Sequence, residues 1–314
     1  MSYYHGLWES GDAKLGLAAV LEAKRMAAAT PHTTQREAAY IEAISEIYEH
    51  ADTLEQATRA AAYEAAMGKI HAAYPEDVEA AIFYALAVAV TAPKTDKTYS
   101  HQRQCGEILE PIFERLPNHP GVAHYLIHCY DNPVLAAQAL AAARRYASIA
   151  PASAHAHHMP SHIFTRVGDW KDSITSNLKS AAIAQAQEAS SKTGEARGQR
   201  LHAMDYLEYA YLQSGQVNNA RQVVAELRQL RAEAGLNNTG SYAASAIPAR
   251  FALELSRWEE AAQLAVEEKA DAAGQAITWM ARGIGAARSN KMADAMEAES
   301  KLATLRDSLQ QRKG

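Results

Sequence analysis

Four histidines carry the chemistry that this chain can be expected to do. His124 and His128 lie four residues apart in Ala-His-Tyr-Leu-Ile-His-Cys-Tyr-Asp, and His158 and His162 lie four apart in His-His-Met-Pro-Ser-His-Ile-Phe. Residues at that spacing share a helix face, so two imidazoles can grip one ion. The second pair repeats the first at 158 − 124 = 34 residues, which is the period of a stacked helix–turn–helix repeat. Each histidine then has a counterpart one unit along, and four imidazoles are expected to converge on one face of neighbouring helices. Three or four histidines with an added carboxylate suit Zn, Cu, Fe or Mn. The competing reading is repeat duplication of a histidine that only packs or hydrogen-bonds.

The repeat register sharpens the ligand set. Counting a unit from Ala154 puts Gly168 at position 15 and Trp170 at position 17, and a unit from Leu201 puts Gly215 at position 15. One period back, a unit from Pro120 has Asp131-Asn-Pro133 in place of the glycine turn. A weaker unit begins near Ser241, with Trp258 at about position 17. In this register His124 and His158 take position 5, His128 and His162 take position 9, and the third unit offers Asp205 and Tyr209 there. His155 and His202 take position 2, and Asp131 takes position 12. The expected ligands are His124, His128, His158 and His162. His202 or Asp205 would add a further ligand or accept the outer N–H of one, with Asp205 and Tyr209 as catalytic candidates. Pro160 sits inside the second pair, so it either breaks a helix there or occupies its first turn. Both cases aim the second pair differently from the first.

These residues need helices to position them, and turn signals predict helices throughout. The expected spans are 11–29, 33–50, 54–73, 77–91, 99–115, 120–131, 133–148 and 153–167. They continue as 169–189, 197–214, 217–234, 240–255, 258–269, 272–288 and 291–311. No strand alternation is present, so the fold class is all-α: a right-handed α-solenoid of helix pairs. One segment breaks the period, since 201 − 154 = 47 exceeds it by 13 residues, assigned to the region around Gln187–Gly194 as a helix extension or a loop.

Composition removes several functions. The formal charge of −5 with no basic stripe argues against nucleic acid. No apolar run approaches the roughly 18 residues of a membrane span. The start, Met-Ser-Tyr-Tyr-His-Gly-Leu-Trp, does not read as a signal peptide, so the chain as given reads as cytoplasmic, or periplasmic if its N-terminus is trimmed. Cys105 and Cys129 read as buried free thiols rather than a disulfide. No G-x-S-x-G, Gly-rich phosphate loop or Cys-x-x-Cys is present. Weaker polar candidates are Arg166, the loop with Asp96, Thr98, Tyr99 and His101 (Thr98 as a helix cap), and an N-terminal cluster of His5, Trp8 and Glu9.

The blocks His119–Asp131, His158–Gly168 and His202–Leu207 resemble those of many bacterial tetratricopeptide repeat proteins. The likeness covers most of the chain, with the two HxxxH blocks as its most specific part, and it implies the fold far better than a reaction. Relatives usually carry a further N-terminal repeat and often an export signal. The resemblance implies one solenoid domain over 1–314: irregular repeats over 1–116, histidine-bearing repeats over 117–235 and capping repeats over 236–314. The function expected is metal-dependent hydrolysis or oxidation of a small molecule. The alternative is a scaffold binding a peptide in its concave groove, where Lys, Arg and Asn would be expected rather than His and Asp.

Overall fold

The computed structural model describes residues 12–188, 194–232, 238–268 and 270–311. The His5, Trp8 and Glu9 cluster and most of the inserted segment lie outside the described residues. Among those described, all regular structure is helical, as the periodicity requires. The chain divides into two compact units, Met1–Arg145 and Tyr146–Gly314.

In the first unit the helices are α1 (Ala13–Ala29), α2 (Gln35–Tyr48), α3 (Gln56–Ala73), α4 (Val78–Val90), α5 (Ser100–Arg115) and α6 (Pro120–Tyr130). Each packs on the next. Local chemistry starts them: Asp12 and Asp77 accept backbone N–H groups at the heads of α1 and α4, and Thr34 with Glu37 closes a capping box on α2. At the head of α5 the cap differs from expectation. Thr98 does not cap; Asp96 accepts from the backbone and hydroxyls of both Thr98 and Ser100, because its carboxylate offers two acceptors where a hydroxyl offers less. Those four bonds hold its pKa far below the usual carboxylate range. Pro120 occupies the first turn of α6, where its missing N–H costs little. The helix ends at Tyr130, with Asp131 at its C-terminus, so the irregular turn falls where the register places it.

Cys105 on α5 and Cys129 on α6 are joined as a disulfide, with Cα atoms 6.0 Å apart. This corrects the free-thiol reading. Twenty-four residues separate the two in sequence, and only the antiparallel packing of α5 on α6 brings them face to face.

α7 (Leu140–Ile149), preceded by a 3-10 turn over Ala136–Ala139, contains the division. The second unit holds α8 (Ala154–His158), α9 (Pro160–Val167), α10 (Trp170–Glu188), α11 (Glu195–Gln213), α12 (Val217–Ala232), α13 (Asn238–Glu254), α14 (Trp258–Ala262), α15 (Ala272–Arg288) and α16 (Met292–Gln311). Four of its turns close alike. Gly168, Gly215, Ser256 and Asn290 take positive φ of 77°, 74°, 54° and 58°. After each, the next N–H reaches back five residues: Asp169 to Phe164, Gln216 to Tyr211, Arg257 to Ala252 and Lys291 to Ala286, all at 2.8 Å. This is the Schellman closure. Glycine at Gly168 and Gly215 was legible as a turn; Ser256 and Asn290 adopt the same strained geometry without it. Between α11, α12 and α13 lies a core of Leu201, Met204, Leu207, Val223, Leu227, Ile247 and Phe251.

Two predicted helices differ. The span 153–167 is two pieces, α8 and α9, joined at Met159 in αR geometry, because Pro160 has no N–H to carry the ladder. The span 258–269 stops at Ala262. No sequence breaker stands there; beyond it, side chains of α15 take up backbone carbonyls of the segment. Arg282 donates to Leu264 O, and Gln275 donates to Glu268 O and Ala270 O. Gly285 permits the approach, since a Cβ there would sit 2.5 Å from Ala262 N and Trp258 O. The 13-residue excess falls between α10 and α11, each 19 residues long, so its described part extends helices.

Candidate metal centre

In the second unit, His158 ends α8, His162 lies in the first turn of α9, and His202 projects from α11. One ring nitrogen from each lies within 4.8 Å of the others. The His158 and His162 Nε2 atoms are 3.0 Å apart. Ligands held tetrahedrally at about 2.1 Å from an ion stand about 3.4 Å from one another, so this pair is already at chelating distance. The His158 and His202 rings lie 4.3 Å apart and the His162 and His202 rings 6.1 Å. His202 thus adds a third nitrogen within reach of the pair.

The proton positions follow from the neighbours. Asn177, buried on α10, donates through Nδ2 to Ser173 O at 2.9 Å, so its Oδ1 is the atom facing His158 Nδ1 at 2.8 Å. Ser161 Oγ also donates to that oxygen. An oxygen acceptor at Nδ1 requires the proton there, which leaves the His158 Nε2 lone pair directed at the cluster. Burial, then His202 and His162, holds His158 well below the usual histidine range, against the opposing pull of Asn177. Burial, then His162 and His155, takes His202 down to about 4. Both rings are therefore neutral at pH 7 and have lone pairs to offer.

Tyr206, one helical turn after His202, completes the cluster. Its hydroxyl lies 3.2 Å from His162 Nδ1. Its ring meets His158 edge-on at 4.9 Å and His162 at 4.7 Å.

The register candidates on α11 face elsewhere. Asp205 is buried against Arg250 of α13 at 2.9 Å and lies outside the convergent nitrogen set. Tyr209 packs edge-on against Trp170 at 5.7 Å and under the Arg250 guanidinium at 5.3 Å. His202 and Tyr206 look toward the histidines instead. Residues three apart on a helix point about 60° apart, so equivalence of repeat position did not carry over as equivalence of direction. Glu208 joins Asp205 on Arg250 at 2.8 Å. Burial is the largest cause raising both carboxyls, Glu208 to about 7, with Arg250 opposing it in each case.

In the first unit, His124 and His128 repeat the local pair geometry on α6, with Nε2 atoms 3.0 Å apart. Their rings are inclined at 54°, against 82° for His158 and His162, which is the difference in aim expected from Pro160. His155 is half-buried on α8, and Arg166 is exposed in the last turn of α9. His101 is placed by Val88 O, 3.0 Å from its Nδ1. A cavity of about 630 Å³ in the second unit is lined by residues such as Leu227, Arg228, Ser245, Pro248, Glu260 and Thr278, none of them from the histidine cluster.

Sequence reasoning missed Tyr206, Asn177 and Arg250. Tyr206 was within reach, since it stands four residues after His202 as His162 does after His158. Asn177 and Arg250 gave no local signal. No helix among the described residues is long and apolar enough to cross a membrane. Comparison with protein-family models finds no match, and comparison with curated proteins finds none either.

Proposed function

We propose that this chain is a tetratricopeptide-like α-solenoid protein with a transition-metal centre on His158, His162 and His202, serving metal-dependent chemistry on a small molecule. The observation that carries this reading is three imidazole nitrogens within 4.8 Å, with the His158 lone pair aimed inward by Asn177. The four Schellman turns of the second unit support repeat architecture. Three protein nitrogens leave a fourth position for water or substrate, which is the form of a catalytic site rather than a closed structural one. An ion there would polarise a bound oxygen or lower the pKa of a bound water. Zn²⁺ would serve hydrolysis, and Cu or Fe would serve oxidation. The His124 and His128 pair is a second two-nitrogen clamp of the same reach.

Elemental analysis of the full chain purified without chelator, joined to thermal unfolding with added Zn²⁺, tests the proposal. We expect a bound ion in stoichiometric amount and a rise in Tm. Free Zn²⁺ at 100 times Kd stabilises by about 2.7 kcal/mol. His158→Ala and His202→Ala remove that rise. A chain that holds no ion and does not respond to Zn²⁺, Cu²⁺, Fe²⁺ or Mn²⁺ overturns the reading.

A further inference from the structure

The cavity of about 630 Å³ in the second unit lies among α12, α13, α14 and α15. The helix expected to run to residue 269 stops at Ala262, and Gln263, Leu264 and Ala265 of the segment that follows form one wall. Val224 and Leu227 of α12, with Pro248 of α13, form an apolar one. Proteins hold small molecules in cavities of about 300–1,000 Å³, and this volume falls in that range.

Its polar groups are sorted by depth. Ala244, Ser245 and Thr278 are buried, at 2%, 5% and 4% exposure. Each has an oxygen to offer. Pro248 has no N–H, so the Ala244 carbonyl four residues earlier lacks its helical donor. Thr278 gives its hydroxyl hydrogen to Gly274 O at 3.2 Å and keeps only lone pairs. Ser245 Oγ enters no hydrogen bond among the described residues. The floor is therefore rich in acceptors and short of donors. At the rim, Glu260 lies 3.2 Å from Arg257 and 3.8 Å from Arg228, with Glu259 beside it, so neither sign of charge dominates among the described residues.

We propose that this cavity is a second small-molecule site, independent of the histidine cluster, for an uncharged molecule with an apolar body and one hydroxyl or amide donor. The body packs on Val224, Leu227 and Leu264, and the donor meets the buried oxygens of the floor. A donor there satisfies acceptors that burial keeps from water. An anion would face those acceptors with no donor to offer, and a cation would lose its hydration with no carboxylate at that depth.

Three probes with similar bodies test this: 4-ethylphenol carries a donor, 4-ethylanisole an acceptor only, and 4-ethylbenzoate a negative charge. Each is titrated into the full chain and followed by NMR of the probe. We expect saturable binding of 4-ethylphenol at millimolar concentration or below, with each of the others weaker by about tenfold or more. Ala265→Trp, at an exposed position of the wall, should abolish that binding with Tm unchanged. Thr278→Val keeps the shape and removes an oxygen. It should weaken 4-ethylphenol about threefold to tenfold and leave 4-ethylanisole unaffected. A parent chain without saturable 4-ethylphenol binding overturns the proposal. So does 4-ethylanisole or 4-ethylbenzoate bound as tightly as the phenol, phenol binding that survives Ala265→Trp, or an equal effect of Thr278→Val on phenol and anisole. If Ala265→Trp lowers Tm, the three probes on the parent chain decide the matter.

Discussion

Two buried polar residues outside the histidine set carry predictions, Asn177 for the histidines and Glu208 for stability. Asn177 has its amide orientation fixed by Ser173 O and accepts from His158. Replacing it with alanine leaves His158 Nδ1–H without that acceptor. Asn177→Ala is expected to weaken Zn²⁺ binding by roughly tenfold, read by competition with a chromophoric chelator. An affinity equal to the parent's would remove Asn177 from the site. Glu208 acts on stability instead. It shares Arg250 with Asp205, its Oε1 is buried with no hydrogen-bond partner, and burial takes its pKa to about 7 from 4.5. Between those values the folded state keeps the proton and the unfolded state has lost it. Stability is therefore full below about pH 4.5 with respect to this group and falls as pH rises through 7. Denaturant unfolding from pH 5 to 8 should show that fall, and Glu208→Gln should flatten it. A pH slope unchanged in the variant would dismiss Glu208 as its source.

At the scale of elements, turns and caps were legible because they are local. Gly168 shows why: its φ is 77° and nothing lies within 4 Å of where a Cβ would stand. Gly168→Ala therefore meets no neighbour and pays only in backbone conformation, about 1 to 2 kcal/mol. A lowered Tm with unchanged metal binding is the expected result, and a neutral Tm would contradict the turn geometry. What local reading could not see was capture by a neighbour. α14 stops at Ala262, and Arg282 and Gln275 of α15 take backbone carbonyls of the segment that follows. Helix propensity of a few tenths of a kcal/mol per residue loses to such tertiary bonds. The same limit hid the true face of α11. Repeat arithmetic selected Asp205 and Tyr209 beside His202, but Arg250 and Trp170 engage the first two, and Tyr206, which it did not select, stands with His202 on the histidine side.

For the whole chain, the disulfide makes a covalent claim on the first unit. Thiol titration of unreduced, denatured protein should find no free cysteine, and finding two would restore the reading from sequence. A bond closing a loop of this length stabilises by about 3 kcal/mol, so Cys105→Ala with Cys129→Ala should lower stability by that order in denaturant. The sequence by itself determined that the chain is helical, where most helices begin and end, and that His158 and His162 can chelate. Periodicity, caps, glycine turns and an i,i+4 spacing are properties of one segment at a time. Only the tertiary structure decided that Cys105 meets Cys129, that of the α11 candidates His202 joins the histidines, with Tyr206, while Asp205 and Tyr209 turn to Arg250 and Trp170, and which nitrogen of His158 is bare. Each of those depends on the rotation of one helix against another, and the two candidate sets on α11, three residues apart in sequence, differ by only about 60° around its axis.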